Sequence, residues 1–190
     1  MKFIYYFLLT AVVGLSAFTT GYGQESGGNI FLDEGSAVVT YPAVEWIKGE
    51  PVTQFDKNKI YIVELWATWC GPCIKSMPHM KALADKFKDK GVILIAQDVM
   101  EKDIDKVKKF VSDQGDSYNF RVAYSGDEGS DFDKKWVKAA GIRSIPTTFI
   151  IQNNKVVWIT LPTSVNEDII QLLVDGKFTI DAASAFIKVN

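Results

Sequence analysis

The stretch Ile60-Tyr61-Ile62-Val63-Glu64-Leu65-Trp66-Ala67-Thr68-Trp69-Cys70-Gly71-Pro72-Cys73 decides how the rest of the chain is read. Its first seven residues are almost continuously apolar. They read as a strand buried on both faces, as in a parallel sheet covered by helices. Glu64 is the one polar residue in that run. The C-x-x-C that follows holds the only two cysteines among 190 residues. Two cysteines cannot build a disulfide-dense scaffold, so the core must hold by packing. A close cysteine pair at a strand-to-helix junction reads instead as a dithiol that cycles with a disulfide.

Downstream, Cys70 to Lys90 reads as a helix. Cys73, Met77, Met80, Ala84 and Phe87 recur at spacings of four and three, which puts them on one face. Pro78 inside the pattern predicts a kink, and Gly91 closes the helix. Val92 to Ala96 is a second buried strand, ending at Gln97-Asp98. Asp103 to Gln114 predicts an amphipathic helix with Ile104, Val107, Phe110 and Val111 inward. Its outward residues, Lys106, Lys108 and Lys109, read as a solvated face. Asn119 to Tyr124 is a strand. Ser130 with Asp133 forms a capping box for a helix carrying Phe132, Trp136 and Val137. Ile145-Pro146 leads into a strand over Thr147 to Ile151. Asn153-Asn154 suits a tight hairpin turn before the return strand Val156 to Leu161. Ser164 with Glu167 reads as a second capping box, opening a helix with Ile169, Ile170, Leu172 and Leu173.

Upstream, Ala37 to Tyr41 is β-prone, and Trp46 to Val52 reads as a strand and turn. Strands alternate with helices and the chain then adds a hairpin. That order implies βαβ units with a parallel core and antiparallel strands at one side, an α/β fold with helices flanking a mixed sheet.

The first residues are of another kind. Met1-Lys2 is a short positive start, Phe3 to Phe18 is largely apolar, and Gly21-Tyr22-Gly23 offers small residues for cleavage before Gln24. The apolar run is shorter than the roughly 20 residues of a spanning helix. It therefore predicts an export signal over 1–23, an uncleaved membrane anchor being the alternative. No cysteine follows it, which excludes lipoprotein attachment. Gly, Ser and acidic residues over 24–35 read as a flexible tether, leaving one domain over 36–190. The expected location is periplasmic or otherwise extracytoplasmic. A net charge of −2 argues against nucleic-acid binding.

Only a thiolate attacks a disulfide, and an ordinary cysteine, with a pKa of about 8.5, is mostly protonated at neutral pH. Cys70 sits where the helix begins, and the unpaired N–H groups and dipole of that end favour a negative sulfur. Cys70 is therefore the expected exposed attacking thiol and Cys73, one turn in, the resolving thiol. Gly71 and Pro72 allow the tight turn between them. Cys73 needs help losing its proton, and Glu64, pointing the same way as Trp66, is the candidate acceptor. The alternative is a buried acid held by neighbouring hydroxyls. His79, the only histidine, reads as a solvated surface residue, since one His with two Cys falls short of a zinc site's four ligands.

Trp69-Cys70-Gly71-Pro72-Cys73 after a buried strand, Pro78 five residues on, and Ile145-Pro146-Thr147 before a strand resemble thioredoxin. An added helix and strand over Asp103 to Tyr124, between the second core strand and the proline turn, and the export signal resemble its extracytoplasmic TlpA/ResA-like branch. The resemblance covers Trp46 to Val174. It implies a thioredoxin fold, a cis Pro146 lying against the dithiol, and a substrate surface formed by Trp69, Gly71, Pro72, Ile145 and Pro146. It implies that Glu64 takes the place of a buried aspartate, although the lysine that thioredoxin carries on the next strand is missing from Val92 to Ala96. It also implies a thiol–disulfide oxidoreductase, without metal or cofactor beyond its own redox-active disulfide, working as a monomer on protein thiols. Apocytochromes c would be among the substrates, and a membrane electron donor would keep it reduced. Gly-Pro between the cysteines favours a reductant. A net oxidant, or a metallochaperone holding a soft ion on the two thiolates, remains open.

Overall fold

Residues 31–187 are described in a computed structural model. The expected signal segment and residues 24–30 of the tether lie outside them. Strand β1 spans Glu45–Lys48 and β2 spans Ile60–Trp66. Helix α1 (Gly71–Phe87), β3 (Val92–Asp98), α2 (Ile104–Gln114) and β4 (Arg121–Tyr124) follow. Then come a π-helical turn over Asp133–Lys138, the hairpin β5 (Thr147–Gln152) and β6 (Lys155–Thr160), and helices α3 (Glu167–Val174) and α4 (Ile180–Ser184). The six strands form one sheet in the order β1-β4-β3-β2-β5-β6. β2, β3 and β4 run parallel; β5 pairs antiparallel with β2, β6 with β5, and β1 with β4. This is the expected mixed sheet, with β2 at its centre and its C-terminal end leading into α1.

Every residue of β2 is buried, so the strand reads as continuously apolar. Alternation still divides it. Tyr61, Val63 and Leu65 pack into an aromatic core with Tyr41, Phe55, Phe132, Trp136 and Phe149. Ile60 and Ile62 pack on the other face with Met80, Leu83 and Phe87 of α1 and Ile169, Ile170 and Leu173 of α3. Trp66 continues that second face into a cluster with Cys70, Cys73, Met77 and Ala96. The predicted apolar face of α1 is buried as a set. Pro78 lies inside α1 without ending it, and its missing N–H deprives the Ile74 carbonyl of its helical partner. Gly91 closes the following short turn at φ +83, where a side chain would also press on Asn58 O and Lys59. Asn153 and Asn154 take φ 53° and 59°, as the two-residue turn requires.

Four expectations need correction. Residues 31–35 are not tether: Leu32 is buried, its N–H donates to Ala139 O, and Gly35 N–H donates to Val156 O. Leu32 finds an apolar site there, which the polar composition around it hides. The strand expected from Asn119 starts at Arg121, because Gly115–Tyr118 forms a 3₁₀ turn. The helix expected to reach Lys90 gives way after Phe87 to a short 3₁₀ turn. The cap of α3 is Asn166, whose side chain accepts the Ile169 N–H at 3.1 Å. Ser164 belongs to a 3₁₀ turn begun by Pro162.

Candidate active site

Cys70 and Cys73 are joined by a disulfide, Cα atoms 5.3 Å apart. Cys70 is the N-cap of α1, and its sulfur accepts the Cys73 backbone N–H at 3.3 Å. A sulfur in that position takes a hydrogen bond and the positive end of the helix dipole together. Gly71 and Pro72 form the first turn, both exposed. Cys73 is wholly inaccessible, and its Sγ lies 3.9 Å from Leu65 O. Cys70 retains only 4 % exposure, so the residue expected to be exposed is in fact buried. Of the two residues, Cys70 is the less deeply buried.

Trp69 forms the open rim at 56 % exposure, its indole N–H donating to Met100 O at 3.3 Å. Trp66 is fully buried against Phe110 and Tyr118. The Ile145-Pro146 peptide bond is cis. Ile145, half-buried, packs against the Trp66, Cys70 and Cys73 cluster.

Glu64 is fully buried on the dithiol face, between Ala96 of β3 and Thr148 of β5 in register. The Thr148 hydroxyl donates to its Oε2, while Oε1 has no protein partner. Burial pushes Glu64 up to about 8, against the opposing pull of the Thr148 bond. No lysine offsets it, as the composition of β3 predicts.

A pair of further acids adjoins the motif, and sequence reading missed it. β3 runs two residues further than Ala96 and ends on Asp98, opposite Trp66 in register. Asp98 is buried with both carboxyl oxygens lacking a protein partner. Burial and the neighbouring Glu101 carboxylate raise it to about 9, opposed by Lys106. Glu101 accepts the Thr68 N–H at 2.8 Å, the Thr68 hydroxyl at 2.5 Å and Lys106 Nζ at 2.8 Å. Burial works to raise Glu101, yet the bonds from Lys106 and Thr68 outweigh it and hold the carboxyl below its ordinary value. Lys106 is thus tied into the site, not part of a purely solvated face. The available signal was an acid at the C-terminal end of the strand beside the dithiol strand, where α/β sheets build their sites. His79 is likewise anchored: its Nε2 lies 2.7 Å from Val165 O. Among the described residues, no group of three His, Cys, Asp or Glu side chains could hold a metal ion.

The family model described as Redoxin matches residues 48–172. The thiol-disulfide oxidoreductase ResA of Bacillus cereus is 32% identical over 148 residues, covering 77% of this chain and 78% of that protein. ResA of Bacillus subtilis is 31% identical over 163 residues, covering 83% and 86%. Among solved structures, the thioredoxin domain of a thiol-disulfide oxidoreductase from Bacteroides vulgatus aligns with a TM-score of 0.60 at 23% identity, over 75% of this chain and 99% of that one. At that identity the structural likeness speaks for the fold, a thioredoxin-like one.

Proposed function

The chain belongs to the Redoxin family and is a thiol–disulfide oxidoreductase of the ResA kind, and from that premise we propose that it reduces protein disulfides outside the cytosol, with Cys70 as attacking thiol, Cys73 as resolving thiol and Glu64 as proton acceptor. The observation that carries this reading is the Cys73 N–H aimed at Cys70 Sγ on the first turn of α1. In the reduced protein that donor meets a thiolate, which stabilises charge on Cys70 and not on Cys73.

The electron balance is closed within the dithiol. Cys70 thiolate attacks one sulfur of the substrate disulfide, the substrate S–S bond breaks, and the leaving substrate thiolate takes a proton from solvent. Cys73 then gives its proton to Glu64, and its thiolate attacks Cys70 Sγ. The Cys70–Cys73 bond forms as the Cys70–substrate S–S bond breaks, the second substrate sulfur leaves as a thiolate and takes a proton from solvent, Glu64 returns its proton to solvent, and two electrons have passed to the substrate. An electron donor at the membrane returns the dithiol to its reduced form. With its pKa near 8, Glu64 is mostly protonated at pH 7 and becomes a better acceptor as pH rises through 8.

Trp69, Gly71 and Pro72 border Cys70, and Ile145-Pro146 supports it from the side. These residues would receive an extended peptide around the substrate cysteine. ResA-like relatives make apocytochromes c the first substrates to test, and the apolar segment Phe3 to Phe18 favours a periplasmic or otherwise extracytoplasmic site of action. No metal or cofactor enters the proposed chemistry, and the domain works as a monomer.

The test is reduction of insulin disulfides by the pre-reduced protein, with the Cys70–Cys73 couple equilibrated against glutathione. A reductant turns over insulin and equilibrates near thioredoxin's potential of about −270 mV. A value near the strong oxidant's, about −120 mV, reverses the proposed direction. Failure on insulin with tight binding of one Cu(I) replaces the enzyme by a metal carrier.

A further inference from the structure

The turn Ala67–Cys70 is held from outside by the segment that follows β3. Val99 N–H donates to Trp66 O at 2.9 Å, Glu101 takes both donors of Thr68, and Met100 O takes the Trp69 indole. Met100 adopts φ 57°, a left-handed conformation costly for a non-glycine residue. That bend lies between the carbonyl bound by Trp69 and the carboxylate bound by Thr68. Below it lies Asp98, wholly buried, its backbone carbonyl used by Gln97, Ser125 N–H and Ser125 hydroxyl, its side chain used by nothing. A buried carboxyl without donors is costly when ionised and inexpensive when it carries a proton that it can donate. The neighbouring Glu101 carboxylate, held in place by Thr68 and Lys106, is the charge that bears on Asp98 and the acceptor such a proton calls for.

We propose that Asp98 and Glu101 form one positioning unit for the dithiol: a proton carried by Asp98 and donated to Glu101 keeps the Glu101 carboxylate on Thr68, and so fixes the turn that presents Trp69 and Cys70. Neither acid touches substrate. Lys106 supplies the unit's counter-charge from α2 at 2.8 Å. The unit holds one negative charge and one shared proton against that lysine. When Asp98 loses its proton the second negative charge repels Glu101, and the Thr68 bonds weaken. The other titratable groups around Asp98 are Tyr124 on β4, which feels Asp98, Glu101, Asp103 and Asp127 and is itself raised, chiefly by burial, and Glu64 further down β2. Tyr124 is fastened to Lys102 O through its hydroxyl. Burial together with Glu101 sets Asp98 near 9 and Glu64 lies near 8, so the two acids separate by the site of substitution and not by pH alone.

The inference rests on the reading of Cys70 as the attacking thiol, and its main test does not. In the oxidised full chain neither cysteine titrates. The Thr68 amide proton, hydrogen-bonded to a carboxylate, is followed by NMR from pH 6 to 10 in the native protein, Asp98→Asn and Glu64→Gln. The expected result is a Thr68 resonance that moves upfield with a midpoint near pH 9 in the native protein and in Glu64→Gln, and stays put in Asp98→Asn, whose amide N–H still donates to Glu101 without titrating. A Thr68 resonance that does not move, or moves alike in Asp98→Asn, overturns the proposal. A second arm follows insulin reduction across the same range. The native to Asp98→Asn activity ratio is expected to be constant below pH 7 and to fall as pH passes 9. A ratio that stays flat while the Thr68 resonance titrates also overturns the proposal, because the unit would then not position the dithiol. Loss of all insulin turnover with an intact Thr68 titration fails the functional reading and leaves the carboxyl pair.

Discussion

The two faces of the central strand are built on opposite terms. On one, Tyr61, Val63 and Leu65 meet a closed aromatic set: Phe132 stacks on Trp136 at 5.2 Å, Trp136 meets Phe149 edge-on at 5.2 Å, and Phe55 meets Tyr61 at 4.9 Å. Its tyrosines are accounted for, Tyr41 hydroxyl by Gln97 and Tyr61 hydroxyl by Asp56 N–H. On the other, the lower half is ordinary apolar packing, and the upper half holds Glu64, Trp66, Asp98 and Tyr118. Of the six buried side-chain polar atoms without a protein partner among the described residues, five belong to these four. Buried polar groups are normally satisfied, each exception costing on the order of 1–3 kcal/mol. On the mechanism proposed above, this concentration around the dithiol serves proton transfer, and the aromatic face supplies the stability to carry it.

The contrast can be broken from the stable side first. Trp136→Ala opens the aromatic face and is expected to cost about 3–5 kcal/mol in denaturant unfolding, with insulin reduction per folded molecule unchanged. A large loss of specific activity would show that the two faces are not separable.

Glu64→Gln probes the other side with the opposite sign. Glu64 has a folded pKa raised from 4.5 to about 8, so the native state binds the proton more tightly than the unfolded chain does. The stability it contributes is complete below about pH 4 and is lost as pH rises to 8. Glu64→Gln should remove that slope, becoming more stable than the native protein by about 3 kcal/mol on going from pH 4.5 to 7.5. It should also slow resolution of the mixed disulfide, read by quenched-flow alkylation. Resolution at the native rate across that range would remove Glu64 from the mechanism while leaving the stability effect intact.

Thr148→Val is smaller. Its hydroxyl is the bond that pulls Glu64 down, so its loss should move the midpoint of that slope above pH 8 and cost about 1 kcal/mol. Smallest is Lys86→Ala, which breaks an exposed pair with Glu167 and should change the unfolding midpoint by no more than about 1 kcal/mol equivalent, without effect on turnover.

Much of this contrast was legible in the chain. The apolar run Ile60 to Leu65, the single acid within it, the face carried by Cys73, Met77 and Met80, and the Asn153-Asn154 turn are local patterns, and local patterns survive folding. The Asp98–Glu101–Thr68 unit was not legible, because it exists only when β3 lies in register beside β2 and sets Asp98 against Trp66. Leu32 looked like tether for the same reason: its partner, Ala139, is more than a hundred residues away. Lys106 looked solvated because helix periodicity reports which face points outward, not what a neighbouring loop brings to it. Ser164 lost the cap of α3 to Asn166 because Pro162 draws it into a preceding turn.

The central claim is the division of labour between the two cysteines: Cys70 less deeply buried and capped by a backbone N–H, Cys73 sealed at 0 % exposure. Its most direct test is mass spectrometry of the adducts that Cys73→Ser and Cys70→Ser form with an excess of disulfide substrate such as oxidised glutathione. Cys73→Ser should accumulate one mixed disulfide on Cys70, while Cys70→Ser stays unmodified on the same timescale. Equal or faster adduct formation on Cys73 in Cys70→Ser would contradict the assignment of attacking and resolving thiols.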